Sequence, residues 1–277
     1  MVIRAGVIGD PVAQSLSPRI YNHWFDAVGM AGRYEAVHCE ADRFEETVRR
    51  LMAEGWQGLN VTIPHKTRAA DLADYRNPEV EQIGAANLLL FRDGKIIADN
   101  TDRRGFARSR LNPQYVHYQA TQGRARKAVV LGAGGAAGPI VLDLWGLPEI
   151  VVTNRTFQKA ERLADRFDEH VRSVRWEDRN LEVQGADILV NTTSLGMKGQ
   201  PPLEVDLSGL NPGALVVDIV YAPLRTQLLQ EAEKLGFFTA NGLTMLVYQA
   251  VPSFKAYTGL RPPSPEKILQ ILTRELS

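Results

Sequence analysis

The chain has 277 residues, of which 44% are hydrophobic and 23% charged, so it can bury one large core or two smaller ones. Its 32 Lys and Arg residues balance 32 Asp and Glu residues, which disfavours nucleic acid or an acidic membrane as partner and favours a small molecule. The single cysteine, Cys39, excludes an intramolecular disulfide and is typical of a reducing compartment. Because no secretory signal precedes Asp10 and Pro11, and no run approaches the roughly 20 apolar residues of a membrane helix, we expect a cytoplasmic protein.

In the first hundred residues, short apolar runs alternate with amphipathic stretches, the pattern of strands joined by crossover helices. Strands are predicted at 2–8, 34–39, 59–63, 86–91 and 95–98, the last two forming a hairpin through residues 92–94. One helix is predicted to begin with Ser17 as N-cap and Pro18 at its first position. A second is predicted from the capping box of Asp42 and Glu45 to Gly55. A largely parallel sheet, made mixed by the hairpin, follows from this order.

Between residues 101 and 127 the apolar periodicity fades and six arginines appear, which indicates a solvated connecting segment with a helix at its start. Strands are then predicted at 128–131, 150–154, 187–191 and 215–219, with helical stretches between them. Helical spacing returns from Leu243, where Pro252 is expected to kink or shorten the helix, and Ser264 precedes a last helix. The histidines are scattered, so no metal site is predicted.

A glycine-rich turn between a predicted strand and a predicted helix indicates a dinucleotide site, since glycines let backbone N–H groups approach a pyrophosphate. A tight turn without a ligand could use the same glycines. The next strand ends at Asn154, Arg155 and Thr156, where NAD sites usually offer a carboxylate and this chain offers a cation. We therefore predict NADP. The expected contacts are Gly132, Ala133, Gly134, Gly135, Ala136, Asn154, Arg155, Thr156 and Lys159.

Polar runs of the first hundred residues fall at predicted strand ends or helix starts, where open α/β sheets bind ligands. Taken singly, each also fits a structural role: a turn and cap at 15–18, a strand entering a helix at 60–66, and an N-cap at 100–102. Lys66 alone is typical of a solvated helix surface. Only the combination of runs indicates a site.

Taken together and in this order, the runs resemble the shikimate dehydrogenase family over nearly the whole chain. Nine separated segments carry the resemblance, so chance agreement is negligible. They are SLSP from Ser15, GLNVTIPHK from Gly58, IGAAN from Ile83, DNTDRRGF from Asp99, LGAGGAAG from Leu131, NRT from Asn154, NTTSLGM from Asn191, DIVYAPLRTQLL from Asp218 and GLTMLVYQA from Gly242. The resemblance implies NADP-dependent, reversible reduction of 3-dehydroshikimate to shikimate, a step of aromatic amino acid biosynthesis.

By this resemblance, Lys66 and Asp102 match the family's catalytic pair. Reducing a ketone places hydride on carbon and a proton on oxygen, so an acid must lie beside the carbonyl. The substrate carboxylate is implied to lie at Ser15 and Ser17. The other implied substrate contacts are Asn60, Thr62, Asn87, Tyr221 and Gln249, and the implied cofactor contacts on the nicotinamide side are Ile219, Gly242 and Met245.

The predicted fold class is α/β, with an N-terminal mixed-sheet substrate domain and a Rossmann-type doubly wound NADP domain. We expect residues 1–103 with 241–277 in the first and 104–240 in the second. A monomer or a homodimer is expected. Two residues depart from the family's usual pattern: Leu88 stands where Thr is common, and Thr244 where Gly is common. They leave the details of the pocket open.

Two alternatives remain open from the residues. One is a relative that prefers quinate or an amino analogue, or that uses NAD; Ser17 and Arg155 count against it. The other is a non-catalytic NADP-binding sensor on the same fold, since a fold alone does not establish activity. Lys66 and Asp102 count against the sensor, because a protein that only binds has no need of a proton donor.

Overall fold

The computed structural model describes residues 2–276. The chain divides into two compact units. Unit 1 contains the residues up to Gly105 together with Leu246–Ile271, and unit 2 contains Phe106–Met245 together with the residues from Leu272 onward. Both units are α/β, which confirms the predicted fold class.

Unit 1 alternates strands and helices up to residue 99. Its elements are β1 (Ile3–Gly9), α1 (Ser17–Ala27), β2 (Gly32–His38), α2 (Phe44–Ala53), β3 (Gly58–Val61), α3 (Lys66–Leu72), β4 (Tyr75–Arg76), α4 (Pro78–Ile83), β5 (Leu88–Arg92) and β6 (Lys95–Asp99). They form one six-stranded sheet in the order β2-β1-β3-β5-β6-β4. Strands β1, β2 and β3 are parallel, and β5 runs antiparallel to both β3 and β6. The sheet is mixed, as predicted.

The predicted hairpin joins β5 to β6 through Asp93 and Gly94. Their φ angles are 51° and 71°, as a tight two-residue turn between antiparallel strands requires. The strand predicted at 59–63 is shorter, because residues 62–65 turn into α3 and the N–H of His65 donates to the carbonyl of Thr62 at 2.9 Å. The short strand β4 and helix α4 were not predicted.

Two predicted helix caps are wrong. Helix α1 begins at Ser17 itself, so its N-cap is Leu16, and no side chain caps it. The Ser17 N–H donates to Ser15 Oγ at 3.3 Å. Asp42 lies inside a 3-10 turn that precedes α2, and no side chain caps that helix either. The turn places the Asp42 carboxylate too early for a capping box with Glu45.

Unit 2 opens with the connecting helices, which occupy most of the segment that was predicted to hold one. Its elements are α5 (Asp102–Ser109, shared with unit 1), α6 (Pro113–Gln122), β7 (Lys127–Leu131), α7 (Ala137–Leu144), β8 (Glu149–Asn154), α8 (Phe157–Ala164), β9 (Val171–Arg175), α9 (Arg179–Val183), β10 (Ile188–Asn191), β11 (Leu215–Asp218), α10 (Gln227–Lys234) and β12 (Phe238–Asn241). The second connecting helix, α6, was not predicted; its N-cap is Asn112, and Pro113 lies at its start.

The strands of unit 2 form a parallel sheet in the order β12-β11-β10-β7-β8-β9. The order reverses between β7 and β10, as in a doubly wound dinucleotide-binding fold. Apolar clusters cover both faces. Strands β9 and β12 were not predicted; both lie at edges of the sheet, and β12 is only half-buried, so their apolar pattern is weak.

The chain ends in α11 (Gly242–Thr258) and α12 (Pro265–Leu276). Helix α11 is not shortened at Pro252, which lies inside it. Buried residues on both sides of the proline, including Val247, Ala250 and Phe254, pack this helix in place, and such packing outweighs one lost backbone bond. Among residues 2–276, no helix combines the length and the apolar content needed to cross a membrane.

Phe254 of α11 joins the largest aromatic cluster of unit 1. It is fully buried, and its ring centroid lies 5.5 Å from that of Trp24 and 5.3 Å from that of Phe25. We expect Phe254→Ala to lower the free energy of unfolding by about 3–5 kcal/mol, because the removed ring no longer contributes its burial energy and leaves a cavity in the packed cluster. Urea unfolding measures the change. Leu260→Ala, at an exposed site, is the control and should change it by no more than about 0.5 kcal/mol; equal effects would contradict this packing.

Candidate active site

Polar side chains of unit 1 converge at one edge of its sheet. Strands β1 and β3 are parallel and end there, β5 begins there, and β6 ends there. The segments that follow or precede these strand ends carry most of the residues predicted to bind substrate. Ligands of α/β sheets bind at the carboxyl ends of parallel strands, so the topology supports a site at this edge.

Lys66 and Asp102 form a close ion pair at this edge. Lys66 Nζ lies 2.5 Å from Asp102 Oδ2, and the side chains are 12% and 7% exposed. Lys66 is the first residue of α3, and Asp102 the first of α5. The backbone carbonyl of Lys66 also accepts the N–H of Ala86 at 2.9 Å. Because both side chains are largely shielded from water, removal of either partner would leave an uncompensated charge in the site.

Asn87 connects this ion pair to the rest of the site. Its Nδ2 donates to Asp102 Oδ1 at 2.8 Å, to Thr101 Oγ1 at 3.0 Å and to Gln249 Oε1 at 3.2 Å. Its Oδ1 accepts the backbone N–H of Thr101 at 2.7 Å. Asn87, Thr101, Asp102 and Gln249 are all buried. Three of the predicted substrate or catalytic residues therefore lie in direct contact.

Ser15, Ser17 and Thr62 lie in the segments after β1 and β3. Ser17 is buried and Ser15 half-buried, and the two are joined by the bond from the Ser17 N–H to Ser15 Oγ. Thr62 is half-buried directly after β3. Asn60 lies within β3, and its side-chain amide bonds to buried tyrosine hydroxyls, to Ser253 and to a backbone carbonyl.

In unit 2, the predicted phosphate loop follows β7 and leads into α7. Gly132 has a φ of 108°, and a Cβ there would lie 2.5 Å from Thr192 Oγ1, so only glycine fits. Helix α7 has Ala136 as its N-cap and no side-chain cap, so the positive end of the helix dipole is available to an anion. Gly134 and Gly135 lie between, exposed and half-buried. The loop fits a pyrophosphate.

The end of β8 supplies the other part of this cofactor site. Asn154 Oδ1 accepts the N–H of Ala133 at 3.2 Å, and Asn154 Nδ2 donates to the Thr156 carbonyl at 3.0 Å. Arg155, Thr156 and Lys159 are exposed. Two cations and a hydroxyl at this position fit a 2′-phosphate and not a bare ribose hydroxyl.

A buried carboxyl at the ends of β10 and β11 was not predicted as a functional residue. Asp218 accepts hydrogen bonds from Asn191 Nδ2 at 3.0 Å, from the N–H of Val220 at 3.0 Å and from Thr226 Oγ1 at 2.7 Å. Asn191 Nδ2 also donates to the Leu195 carbonyl at 3.1 Å. Asp218 therefore ties together the loops that follow both strands. Its sequence signals were its place near the end of a predicted strand and at the start of the segment DIVYAPLRTQLL.

The remaining predicted cofactor residues lie in unit 2. Ile219 and Tyr221 follow β11 and are half-buried, and Met245 in α11 is buried. A Cβ at Gly242 would lie 1.9 Å from the Ile219 carbonyl oxygen, so this position also requires glycine. Tyr221 is the only predicted substrate residue in unit 2.

The two departures from the family pattern have different surroundings. Leu88 is fully buried at the start of β5, so its side chain is part of the core of unit 1. Thr244 is half-buried in the first turn of α11. Sequence reasoning also missed Thr101 and Ser253 as parts of the site. For Ser253, the helical spacing of four from Gln249 was the available signal.

Comparison with known families assigns three segments of the chain. Residues 7–89 match the model described as the substrate-binding domain of shikimate dehydrogenase. Residues 116–198 match the model described as shikimate/quinate 5-dehydrogenase, and residues 242–272 match the shikimate 5′-dehydrogenase C-terminal domain. These segments contain most of the residues described above.

Individual relatives agree with the family models. The chain is 44% identical over 261 residues to the shikimate dehydrogenase (NADP⁺) of Ruegeria sp., and the aligned part covers 93% of each chain. The crystal structure of shikimate 5-dehydrogenase from Thermus thermophilus in complex with NADP(H) and shikimate has 32% identity and a TM-score of 0.82, covering 98% of this chain and 99% of that one. Quinate dehydrogenase from Corynebacterium glutamicum in complex with NAD has 27% identity and a TM-score of 0.85, covering 99% of each chain.

The Asp218 carboxyl should make stability depend on pH. Burial raises the pKa of Asp218 to about 6, against the opposing hydrogen bonds from Thr226, Val220 and Asn191. Between about pH 4 and pH 6 the folded state keeps a proton that the unfolded state has lost, so the free energy of unfolding falls as pH rises through this window. A neutral amide at this position lacks that dependence.

We therefore expect Asp218→Asn to gain stability over the unchanged protein, by on the order of 3 kcal/mol, as pH rises from about 4 to 7. The amide can still accept from Asn191 and Val220, and the Thr226 hydroxyl can reverse to accept from it. Urea midpoints at several pH values measure the difference. Glu169→Gln, at an exposed site, is the control. A difference between the Asp218→Asn protein and the unchanged one that stays constant with pH would contradict the raised pKa.

Proposed function

Because the chain belongs to the shikimate dehydrogenase family, we propose that it catalyses the reversible, NADP-dependent reduction of 3-dehydroshikimate to shikimate. The observation that carries this function is the largely buried pair of Lys66 and Asp102, whose charged groups lie 2.5 Å apart and in which Asp102 also bonds to Asn87. A protein that only bound its ligands would not require a buried ammonium at this place. The non-catalytic sensor therefore has no observation in its favour.

Lys66 is the proton donor in this proposal. One N–H of its ammonium group bonds to Asp102 Oδ2, which leaves two N–H groups for the oxygen of the substrate carbonyl. Asp102 accepts from Asn87 with its other oxygen, so both of its oxygens are engaged and it orients Lys66. In the reverse direction the pair takes the proton from the substrate hydroxyl.

The substrate contacts follow the same edge of unit 1. Ser15 and Ser17 are proposed to bind the carboxylate near the start of α1, where the positive end of the helix favours an anion. Thr62, Asn87 and Gln249 are proposed to bind ring hydroxyls, and a substrate contact by Tyr221 stays a prediction of the family resemblance. Several buried polar groups in a site favour a hydroxylated ring, because an analogue that lacks a hydroxyl leaves them unpaired.

NADPH supplies the hydride when it is bound. The residues proposed to hold it are Gly132, Ala133, Gly134, Gly135 and Ala136 at the pyrophosphate, Asn154, Arg155, Thr156 and Lys159 at the 2′-phosphate, and Ile219, Gly242 and Met245 at the nicotinamide. Their fit is supported by the required glycine conformation at Gly132 and by the exposed cations after β8.

The cellular compartment and the oligomeric state of the protein are also proposals. The even charge balance and the single cysteine support a cytoplasmic enzyme. A monomer or a homodimer remains a prediction, and sedimentation equilibrium distinguishes the two.

Turnover tests the proposed function directly. We expect NADPH to appear, by absorbance, with shikimate and NADP⁺, and Lys66→Ala to lower kcat by at least about 100-fold, as expected for loss of a general acid. Lys95→Ala removes a lysine whose partner, Asp74, lies at the surface, and should keep kcat within about twofold. Reaction only with quinate, or only with NAD⁺, would favour the alternative of a relative that prefers quinate or uses NAD. The likeness to quinate dehydrogenase supports that alternative. Equal kcat for Lys66→Ala would refute the mechanism.

Arg155 should determine the choice of cofactor. We expect Arg155→Ala to weaken NADP⁺ binding by about 10- to 100-fold through loss of a charge-assisted contact to the 2′-phosphate. NAD⁺ binding should not change, because NAD⁺ lacks that phosphate. Calorimetric titration of both cofactors measures the ratio, and Arg162→Ala on the exposed side of α8 is the matched control. A parallel loss for both cofactors would exclude this role of Arg155.

A further inference from the structure

Arg175 is the last residue of β9, an edge strand of the sheet in unit 2. It is paired in register with Asn154, the last residue of β8. The strands β7, β8 and β9 are neighbours and parallel, so the segments that follow them lie along one edge of the sheet. The phosphate loop follows β7. A ribose at the end of β8 therefore has the phosphate loop on one side and Arg175 on the other.

The side chain of Arg175 packs on an aromatic ring at the start of α8. Its guanidinium carbon lies 5.3 Å from the ring centroid of Phe157, and Phe157 directly follows Thr156 as the first residue of the helix. Contact with a ring occupies one face of a guanidinium group and leaves the N–H groups at its edge able to donate. Phe157 therefore holds the charge of Arg175 beside the segment that contains Arg155 and Thr156.

The donors of Arg175 are not used within the part of the chain that the structure describes. Over residues 2–276 its side chain forms neither an ion pair nor a hydrogen bond. Arg172, in the same strand, pairs with both Glu149 and Glu182, so β9 does offer carboxylates to an arginine placed nearer its start. The position of Arg175 at the carboxyl end of the strand leaves its charge for another partner.

Three exposed cations surround the segment after β8. Arg155 lies within it, Lys159 lies in the first turn of α8, and Arg175 ends the neighbouring strand. Within residues 2–276 none of the three forms an ion pair with a carboxylate. Unpaired cations around one segment produce a positive potential that favours an anion. The anion that a dinucleotide can place at the end of β8 is a phosphate on the ribose.

The chemistry of a phosphate monoester favours more than one cation. Such a group carries about 1.5 to 2 negative charges at pH 7 and three acceptor oxygens. A guanidinium group binds two phosphate oxygens at once through its planar fork, which an ammonium group cannot do. A second arginine on the opposite side from Arg155 therefore fits a dianion better than Arg155 and Lys159 alone.

We propose that Arg175 is a further determinant of cofactor choice, which binds the 2′-phosphate of NADP from the side of β9. Arg155 and Lys159 bind the same phosphate from the side of β8. The inference rests on the proposed function. It adds a residue that lies outside all nine segments of the family resemblance.

Arg175→Gln is the first test, because it replaces the guanidinium group by a neutral amide at an exposed site. We expect calorimetric titration to show about tenfold weaker binding of NADP⁺ and unchanged binding of NAD⁺. Adenosine 2′,5′-bisphosphate should lose the same factor and 5′-AMP none, because these probes differ only in the 2′-phosphate. Equal losses for both cofactors would place the contact on the shared adenosine and would overturn the proposal, as would unchanged NADP⁺ binding.

Arg179→Gln is the matched control. Arg179 also lies over a ring, 4.9 Å from the centroid of Trp176, but its N–H groups already donate to the carbonyls of Trp176 and Glu204, each at 3.0 Å. The substitution removes the same charge four residues further along the chain. We expect NADP⁺ affinity to stay within about twofold. A loss equal to that of Arg175→Gln would mean that net charge acts at a distance, and the proposed contact would be refuted.

Failure of the proposed function is recognised separately from failure of this inference. An unsubstituted protein that binds NAD⁺ as tightly as NADP⁺ contradicts the proposed cofactor before any variant is made. The inference alone fails when the unsubstituted protein prefers NADP⁺ and Arg175→Gln keeps that preference. Because Arg175 is exposed, we expect an unchanged Tm for this variant, so a change in affinity reports the contact and not a loss of fold.

Discussion

The register of three neighbouring strands determines where the chemistry of unit 1 lies. Asn60 of β3 is paired with Leu88 of β5, and Leu88 with Asp99 of β6, so the residues just beyond these strand ends meet at one edge. Asn87 and Asp102 become neighbours there. Because side chains alternate between the two faces of a sheet, a slip of one residue in β3 would turn Asn60 to the opposite face. Every contact of the site therefore depends on the correct pairing of these strands.

Within that frame, the polar groups of the site are buried together and satisfy one another. Lys66 and Asp102 share an ion pair, Asn87 bonds to Asp102, and Thr101 bonds to Asn87. A buried network of this kind favours one arrangement, because any other leaves a polar group unpaired at low dielectric. The site is thus held before substrate arrives, and Asn60 extends the same network to the buried tyrosine hydroxyls.

Unit 2 combines a required backbone conformation at one loop with a buried side-chain network at another. Gly132 has a positive φ, and its close approach to Thr192 excludes any side chain, which leaves room for a pyrophosphate where the strand order reverses. Asp218 joins the loops after β10 and β11 through hydrogen bonds to Asn191 and Thr226. The cost of burying its charge appears as a raised pKa. The conformation at Gly132 and the hydrogen bonds of Asp218 both fix loops that carry proposed cofactor contacts.

Local patterns were sufficient for the fold class, the hairpin at Asp93, the phosphate loop at Gly132 and the cations after β8, because turn chemistry and apolar periodicity act over a few residues. The sequence could not determine the partners of Asn60, since Tyr257 lies 197 positions away along the chain, nor the burial of Asp218. The predicted caps at Ser17 and Asp42 were wrong because helix α1 already begins at Ser17 and because a 3-10 turn before α2 contains Asp42. Only the tertiary structure decided these features, because hydrogen-bond partners and burial depend on how distant segments pack.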